Sequence, residues 1–279
     1  MNFSLSKGLC LAIATIGYTT ASSAADISHS LRNNTEIHSE PEDYLELGLS
    51  AQVGKWPSFT ELDDDEYSGL GVVVNGSYNW QGLFIDFFGE SQTPLVIGYN
   101  AYNNANWSLD LVLTPTGNDV GADLDDRFAG IDERKNSLML GGRATGYLAG
   151  NTVQLSVSHD VTNKHNGVSA SALVGRNWQD RNWNVHGMIG LNYSNASVVD
   201  YYLGVSEQEA ARTNFSVYNG KATLRFTTEV GVTYPLTENW VFRATSRYGS
   251  LVNQERDTPL LLNNRSDVVS LSTSISYVF

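Results

Sequence analysis

Residues 270–279 read SLSTSISYVF. Leu271, Thr273, Ile275, Tyr277 and Phe279 share one parity, and Ser270, Ser272, Ser274 and Ser276 take the other. A period of two is the mark of an extended strand, because successive side chains leave a pleated backbone on opposite faces. Chain ends are ordinarily polar and frayed. Here bulky residues run up to the last position, which predicts a strand anchored along its whole length.

The same alternation recurs upstream. In DYLELGLSAQVG (residues 43–54), Leu45, Leu47, Leu49, Ala51 and Val53 alternate with Glu46, Gly48, Ser50 and Gln52. In KATLRFTTEVGVTY (221–234), Leu224, Phe226, Val230 and Val232 oppose Arg225, Thr227, Glu229 and Thr233. The pattern predicts about twelve strands, over residues 43–54, 68–79, 82–90, 95–102, 105–114, 136–148, 151–161, 167–178, 182–194, 220–235, 238–251 and 267–279. Short turns fall near Asn79–Gln81, Asn103–Asn104, Gly150, Gln179–Arg181 and Leu236–Glu238, and longer loops at 55–67, 115–135, 195–219 and 252–266. Short and long connections alternate, apart from the shorter loops at 91–94 and 162–166. That arrangement suits an all-β, closed up-and-down antiparallel barrel with tight turns at one rim and long loops at the other.

Soluble strands also alternate, so the pattern needs support from other features. The N-terminus MNFSLSKGLCLAIATIGYTTASSAAD has Lys7, an apolar stretch from Gly8 to Gly17 and small residues ending at Ala25. This reads as a secretory signal peptide cut after Ala25, and its apolar core is too short for a membrane-spanning helix. The division expected is a signal peptide over 1–25, a polar leader over 26–42 and a barrel over 43–279. The sole cysteine, Cys10, falls in the expected signal peptide. The exported chain then has no disulfide, thiolate metal site or cysteine nucleophile. Removing residues 1–25 takes away one Lys and no acid, so the formal charge moves from −13 to −14. An acidic chain is a poor nucleic-acid ligand.

Charged residues decide which face meets lipid. Glu46, Asp86, Asp110, Arg143, Arg225, Glu229, Arg243 and Arg247 all take the polar parity of their strands. An Arg on a lipid-facing wall costs about 2–4 kcal/mol at the midplane, a cost avoided inside the barrel. The reading is a transmembrane barrel with these eight residues in its lumen, where Arg225, Glu229, Arg243 and Arg247 can pair with Asp86, Asp110 and Glu46. Trp80, Trp107, Trp178, Trp183 and Trp240 all sit beside expected short turns, as an interfacial aromatic belt would. Trp56 falls at the opposite end. Leu271, Ile275, Tyr277 and Phe279 would face lipid, and the terminal aromatic reads as the signal used by outer-membrane barrel-assembly machinery. Outer-membrane lipid and lipopolysaccharide are the surroundings this implies, in a Gram-negative cell.

Three segments carry a family resemblance. YYLGVSEQEAARTNFSVYNGK resembles the MipA/OmpV family of outer-membrane proteins through Tyr201, Tyr202, Gly204, Val205, Glu209 and Ala210, with Leu203 as an extra residue. RDTPLLLNNRSD resembles another family segment through Asp257, Pro259 and Leu260, with Thr258 where Ser is usual. RFAGIDERKNSLMLGG matches through Gly130 and Asp132. The resemblance runs from about residue 44 to 279. It implies an envelope scaffold or interaction protein, with a lytic transglycosylase and a penicillin-binding protein as partners. Leu203 and Thr258 lie in external loops, where departures bear on outer-surface partners.

Catalytic chemistry is sparse. His159 takes the lipid-facing parity, while Ser156 and Ser158 take the other, so no Ser–His pair follows from that strand. His186 takes the inward parity, and His29, His38 and His165 lie in leader or loop. The acidic runs Asp63–Glu66 and Asp123–Asp126 lack the spacing of a calcium loop and read as solvated charge. The expectation is a protein with no catalytic residues, metal or cofactor. A small-solute channel and a lipid hydrolase stand as alternatives.

Overall fold

A computed structural model describes residues 43–55, 57, 66–87, 94–104, 106–117, 120–121, 125–250, 256–262 and 267–279. The expected signal peptide with Cys10 and Ala25, the polar leader, Trp56, Asp63–Asp65, Asp123 and residues 88–90 of the expected third strand lie outside the described residues.

Twelve strands form one closed antiparallel sheet. They are β1 (Tyr44–Lys55), β2 (Glu66–Trp80), β3 (Leu83–Phe87), β4 (Leu95–Asn103), β5 (Trp107–Thr116) and β6 (Ser137–Leu148). The second half is β7 (Asn151–Asp160), β8 (Val168–Asp180), β9 (Trp183–Ser194), β10 (Thr223–Pro235), β11 (Trp240–Ser250) and β12 (Asp267–Val278). Each strand pairs with its sequence neighbours, and β12 closes on β1 from Glu46↔Val278 to Lys55↔Val269. The Phe279 N–H extends this ladder by donating to the Leu45 carbonyl at 2.9 Å. Closure leaves no unpaired edge, the condition for a sheet in hydrocarbon.

The two faces are chemically opposite. Leu45, Leu47, Leu49, Val53, Leu70, Val72, Leu111, Leu155, Ile189, Leu191, Leu224, Leu271 and Ile275 are all exposed on the outside. Leu49, midway along β1, is 71% exposed. A continuous apolar girdle of this kind far exceeds what a water-borne monomer shows. Among the described residues no helix is long and apolar enough to cross a membrane; the strands are the crossing elements.

One rim carries tight turns. Gln81 and Gly82 (φ 51° and 86°) and Ala149 and Gly150 (φ 51° and 79°) place two consecutive residues in the left-handed region, the backbone that matches the twist of a two-residue hairpin. The other rim carries the long loops, and three of these contribute to a folded cap. Loop 195–222 forms helix α1 (Ala196–Leu203), capped by Asn195, whose side chain accepts from the Val198 N–H, and helix α2 (Glu207–Arg212). Helix α2 falls within SEQEAARTN, whereas α1 is built largely from β-branched and aromatic residues, which are weak helix formers. The sequence reading began the tenth strand at 220, three residues early. The Gly220 N–H donates instead to Asp200 Oδ1 of α1 at 2.7 Å.

Candidate functional site

Among the described residues, ionic side chains inside the barrel gather in several groups. Asp110 on β5 takes the Arg143 Nε of β6 at 2.9 Å and the Asn100 Nδ2 of β4 at 2.8 Å, while the Arg143 guanidinium lies 5.2 Å over the Phe84 ring. Glu229 on β10 takes Arg247 Nε at 2.5 Å and contacts His186 Nε2 at 3.0 Å. Glu46 on β1 accepts from Arg243 and Ser276 across the β12–β1 seam, and from Asn75 Nδ2 at 3.3 Å. Asp86 accepts from Ser77 Oγ at 2.7 Å. The pairing differs from the sequence reading in detail: Arg247 pairs within the quartet, with Glu229, and Asp110 takes Arg143. Arg225 sits on the inner parity of β10 opposite Asn192, apart from Asp86 and Asp110. Register and side-chain reach together set these pairs: Glu229 stands directly opposite Arg247, while Arg243 reaches past β12 to Glu46.

The inner wall is uneven. On β5–β10 its residues are buried: Val112, Thr114, Met139, Thr145, Gln154, Ser158, Ser169, Leu173, His186, Met188 and Asn192. On β12, β1 and β2, many inward positions carry Gly or Ser, and Gly48, Ser50, Gln52, Gly71, Ser270, Ser272 and Ser274 are only half-buried.

Over the buried half sits a folded external cap. Val120, Phe128, Ile131, Val198, Val199, Tyr202, Leu203, Val205 and Leu260 form one apolar core drawn from three loops. Its polar keystone is Glu209 in α2. Glu209 caps its own helix through Ser206, accepts from the Asp132 N–H at 2.9 Å, and pairs with buried Arg134 at 2.7 Å. Burial alone would raise the Glu209 pKa, but these donors hold it down to about 2. Arg212 bonds Asp132 and the Gly130 carbonyl, and Arg127 bonds the Leu260 carbonyl. All three segments that carry the family resemblance meet here. Leu203 and Thr258 face each other inside the cap, with Thr258 Oγ1 donating to the Leu203 carbonyl at 2.7 Å and both residues buried. Both residues lie in external loops, as their positions in the sequence implied, and are buried in the cap. Ser in place of Thr258 would retain the donor, and Leu203 fills the apolar core.

A Ser–His contact exists where the sequence reading saw only a loop histidine. Ser137 Oγ lies 2.9 Å from His165 Nε2, and both residues are buried. The Gly167 N–H donates to His165 Nδ1 at 2.9 Å, so Nδ1 is the unprotonated nitrogen and Nε2–H donates to the serine. A base that already carries its proton toward the hydroxyl cannot activate it. The Tyr202 hydroxyl adds bonds to the Thr116 carbonyl at 2.9 Å and Ser137 Oγ at 3.2 Å. Burial raises the Tyr202 phenol to about 12 and lowers the His165 pKa below its ordinary value. The group acts as a strut joining α1 to β5, β6 and the β7–β8 loop. Its three residues are far apart in sequence, and no local motif marks them.

Elsewhere, His159 is exposed on the outer face, and Ser156 bonds Ser171 Oγ at 2.8 Å. Asp125 caps a short 3-10 turn by accepting from the Arg127 N–H. Among the described residues no cluster of His, Cys, Asp and Glu could hold a metal ion. Trp80, Trp107, Trp178, Trp183 and Trp240 lie at strand ends on the tight-turn rim. Two of them stack on neighbours: Trp183 on Tyr234 at 4.7 Å, and Trp240 edge-on to Tyr277 at 5.4 Å. Tyr277 in turn meets Phe279 at 4.7 Å, while Leu271 and Ile275 face outward from β12.

A closed twelve-stranded sheet with an apolar exterior and ion-paired interior, between an aromatic-flanked rim of tight turns and a rim of long loops, defines a transmembrane β-barrel of the outer-membrane type. The family described as MltA-interacting protein MipA matches residues 47–279, and the chain belongs to that family. It is 24% identical over 213 residues to outer membrane protein Omp26La of Vibrio anguillarum, covering 76% of this chain and 79% of the relative. Outer membrane protein OmpV of Vibrio cholerae is also 24% identical, with 76% and 80% covered. The MltA-interacting protein of Escherichia coli K12 is 24% identical over 243 residues, with 85% and 91% covered. The protein is accordingly an outer-membrane barrel, and the names of these relatives describe no enzyme.

Proposed function

We propose that this barrel is a non-enzymatic envelope scaffold that tethers murein-remodelling enzymes to the outer membrane. The observation that carries the reading is the folded cap: the external loops fill one another's apolar and hydrogen-bonding needs, which suits a rigid fixture better than a turnover site. The relative named MltA-interacting protein supplies the partner class, a lytic transglycosylase, and a penicillin-binding protein is the second partner proposed. The tight-turn rim is too small for a docking domain, so contact falls on that rim or on residues 26–42. Cleavage after Ala25, delivery by barrel-assembly machinery through the Leu271, Ile275, Tyr277 and Phe279 face, and contact with lipopolysaccharide complete the proposal. The lumen carboxylate–guanidinium pairs and the tryptophan belt serve to hold the fixture in its bilayer.

Crosslinking in intact envelopes followed by pull-down at native abundance tests it. Recovery of a murein synthase or transglycosylase, lost on deletion of 26–42 or on rim substitutions, supports the tether. Recovery of neither enzyme overturns it. The hydrolase alternative finds little support in the Ser137–His165 geometry described above; phospholipid turnover abolished by His159→Ala would restore it.

A further inference from the structure

The half-buried part of the inner wall has an ordered distribution of charge. On β10 and β11 the register pairs Thr233 with Arg243 and Glu229 with Arg247. Arg225 stands four residues beyond Glu229 on the same inward parity. Three guanidinium groups therefore recur at equal four-residue steps, roughly 13 Å apart along the strand. Their carboxylate partners are not equally placed. The side chains of Glu46 and Glu229 are each 2% exposed, whereas Arg243 is 12% and Arg247 35% exposed. Among the described inward positions of β11, β12, β1 and β2, Glu46 is the sole carboxylate. Opposite the arginines, Ser50, Gln52, Ser270, Ser272 and Ser274 present hydroxyl and amide groups with little bulk.

We infer that this seam side of the lumen is a narrow passage selective for small anions. Each of these two ion pairs is neutral in sum but unevenly exposed, with its carboxylate side chain the more deeply buried member and its arginine the more exposed. A solute meets the positive end first, and low-dielectric walls focus that potential along the path. The guanidinium fork suits carboxylate- or phosphate-bearing solutes as well as simple halides. Serine and glutamine donors replace part of the hydration shell of the ion. The inference is independent of the scaffold reading, because a tether needs no conduction and conduction needs no tether.

The test is reversal potential in a planar bilayer under a potassium chloride gradient, using the full-length protein refolded in detergent. Chloride should be preferred over potassium. Neutralising both pairs together (Glu46→Gln with Arg243→Gln, and Glu229→Gln with Arg247→Gln) leaves formal charge unchanged and strands no buried ion. It should lower the chloride-to-potassium permeability ratio by roughly tenfold or more. Heat-modifiable gel migration reports whether each variant is folded. Equal or potassium-preferring permeation by the wild type, a ratio unmoved by the paired changes, or current no greater than that of lipid alone would each overturn the inference. The sign of the wild-type potential decides the matter even where a variant does not fold.

Discussion

The β5–β10 half of the barrel and the seam half made by β11, β12, β1 and β2 share one alternating pattern, yet their interiors are built differently. Beneath the cap, inward side chains such as Met139, Leu173, His186 and Met188 are buried. At the seam, many inward positions are glycine or serine, and Gly48, Ser50, Gly71, Ser270, Ser272 and Ser274 remain half-buried. Alternation determines which way a residue points. How full the interior becomes depends on the volumes at the inward positions and on the loops that cover them.

Removing the keystone of the capped half should give the largest effect. Glu209→Ala leaves Arg134 buried without its carboxylate partner and removes the reciprocal half of the capping box, a loss of about 3–5 kcal/mol. Protease digestion should then cut within 196–222 while the strands stay protected. Equal protection of the loop in the variant would erase the distinction between a folded cap and an ordinary loop. Next, Leu49→Arg on the outer face of β1 should destabilise the barrel by about 2–4 kcal/mol in lipid, whereas Ser50→Arg, one residue along and inside the seam, should cost much less. Urea unfolding in lipid vesicles measures both, and equal costs would contradict the assignment of the faces. Thr258→Val strands the Leu203 carbonyl and should cost the cap about 1–3 kcal/mol. Thr258→Ser should retain most of that stability in the same digestion assay.

The smallest effect is a graded response to acid confined to the cap. The His165 pKa is lowered on folding, so its contribution is complete above its ordinary value of 6.5 and declines as pH falls below it. Protonated Nδ1 would confront the Gly167 N–H. The Glu209 pKa is lowered as well, so its contribution is complete above 4.5 and is lost as pH falls toward about 2. Hydrogen exchange at α1 and α2 should therefore rise in two stages on acidification. A single stage below pH 4.5 would remove His165 from the account.

The barrel was legible because lipid and lumen impose opposite chemistries on alternate residues, and every strand repeats the contrast. The bounds agree to within a few residues wherever a strand simply ends in a turn. They fail at 220–222, where the chain serves α1 before it serves β10. The sequence marks which charged residues share the polar parity of their strands, but not which of them pair. Whether Glu229 meets Arg247 or another cation depends on register, which a period of two leaves undetermined. The cap was least visible. Its core joins Val120, Phe128, Tyr202 and Leu260 from three loops, and no local period relates them. The Ser137–His165–Tyr202 strut was hidden for the same reason, and α1 lies in residues of low helix propensity.

The bond between Ser276 and Glu46 joins residues 230 apart in the chain. Every other strand pairing joins sequence neighbours, so the β1–β12 ladder to which this bond belongs carries the long-range entropy of ring closure. Folding of such a topology is slow, because the gain arrives only after the distant ends have met. Until then both β1 and β12 offer open edges to any extended chain nearby. The seam thus sets the moment at which a vulnerable, self-associating sheet becomes a finished, inert cylinder.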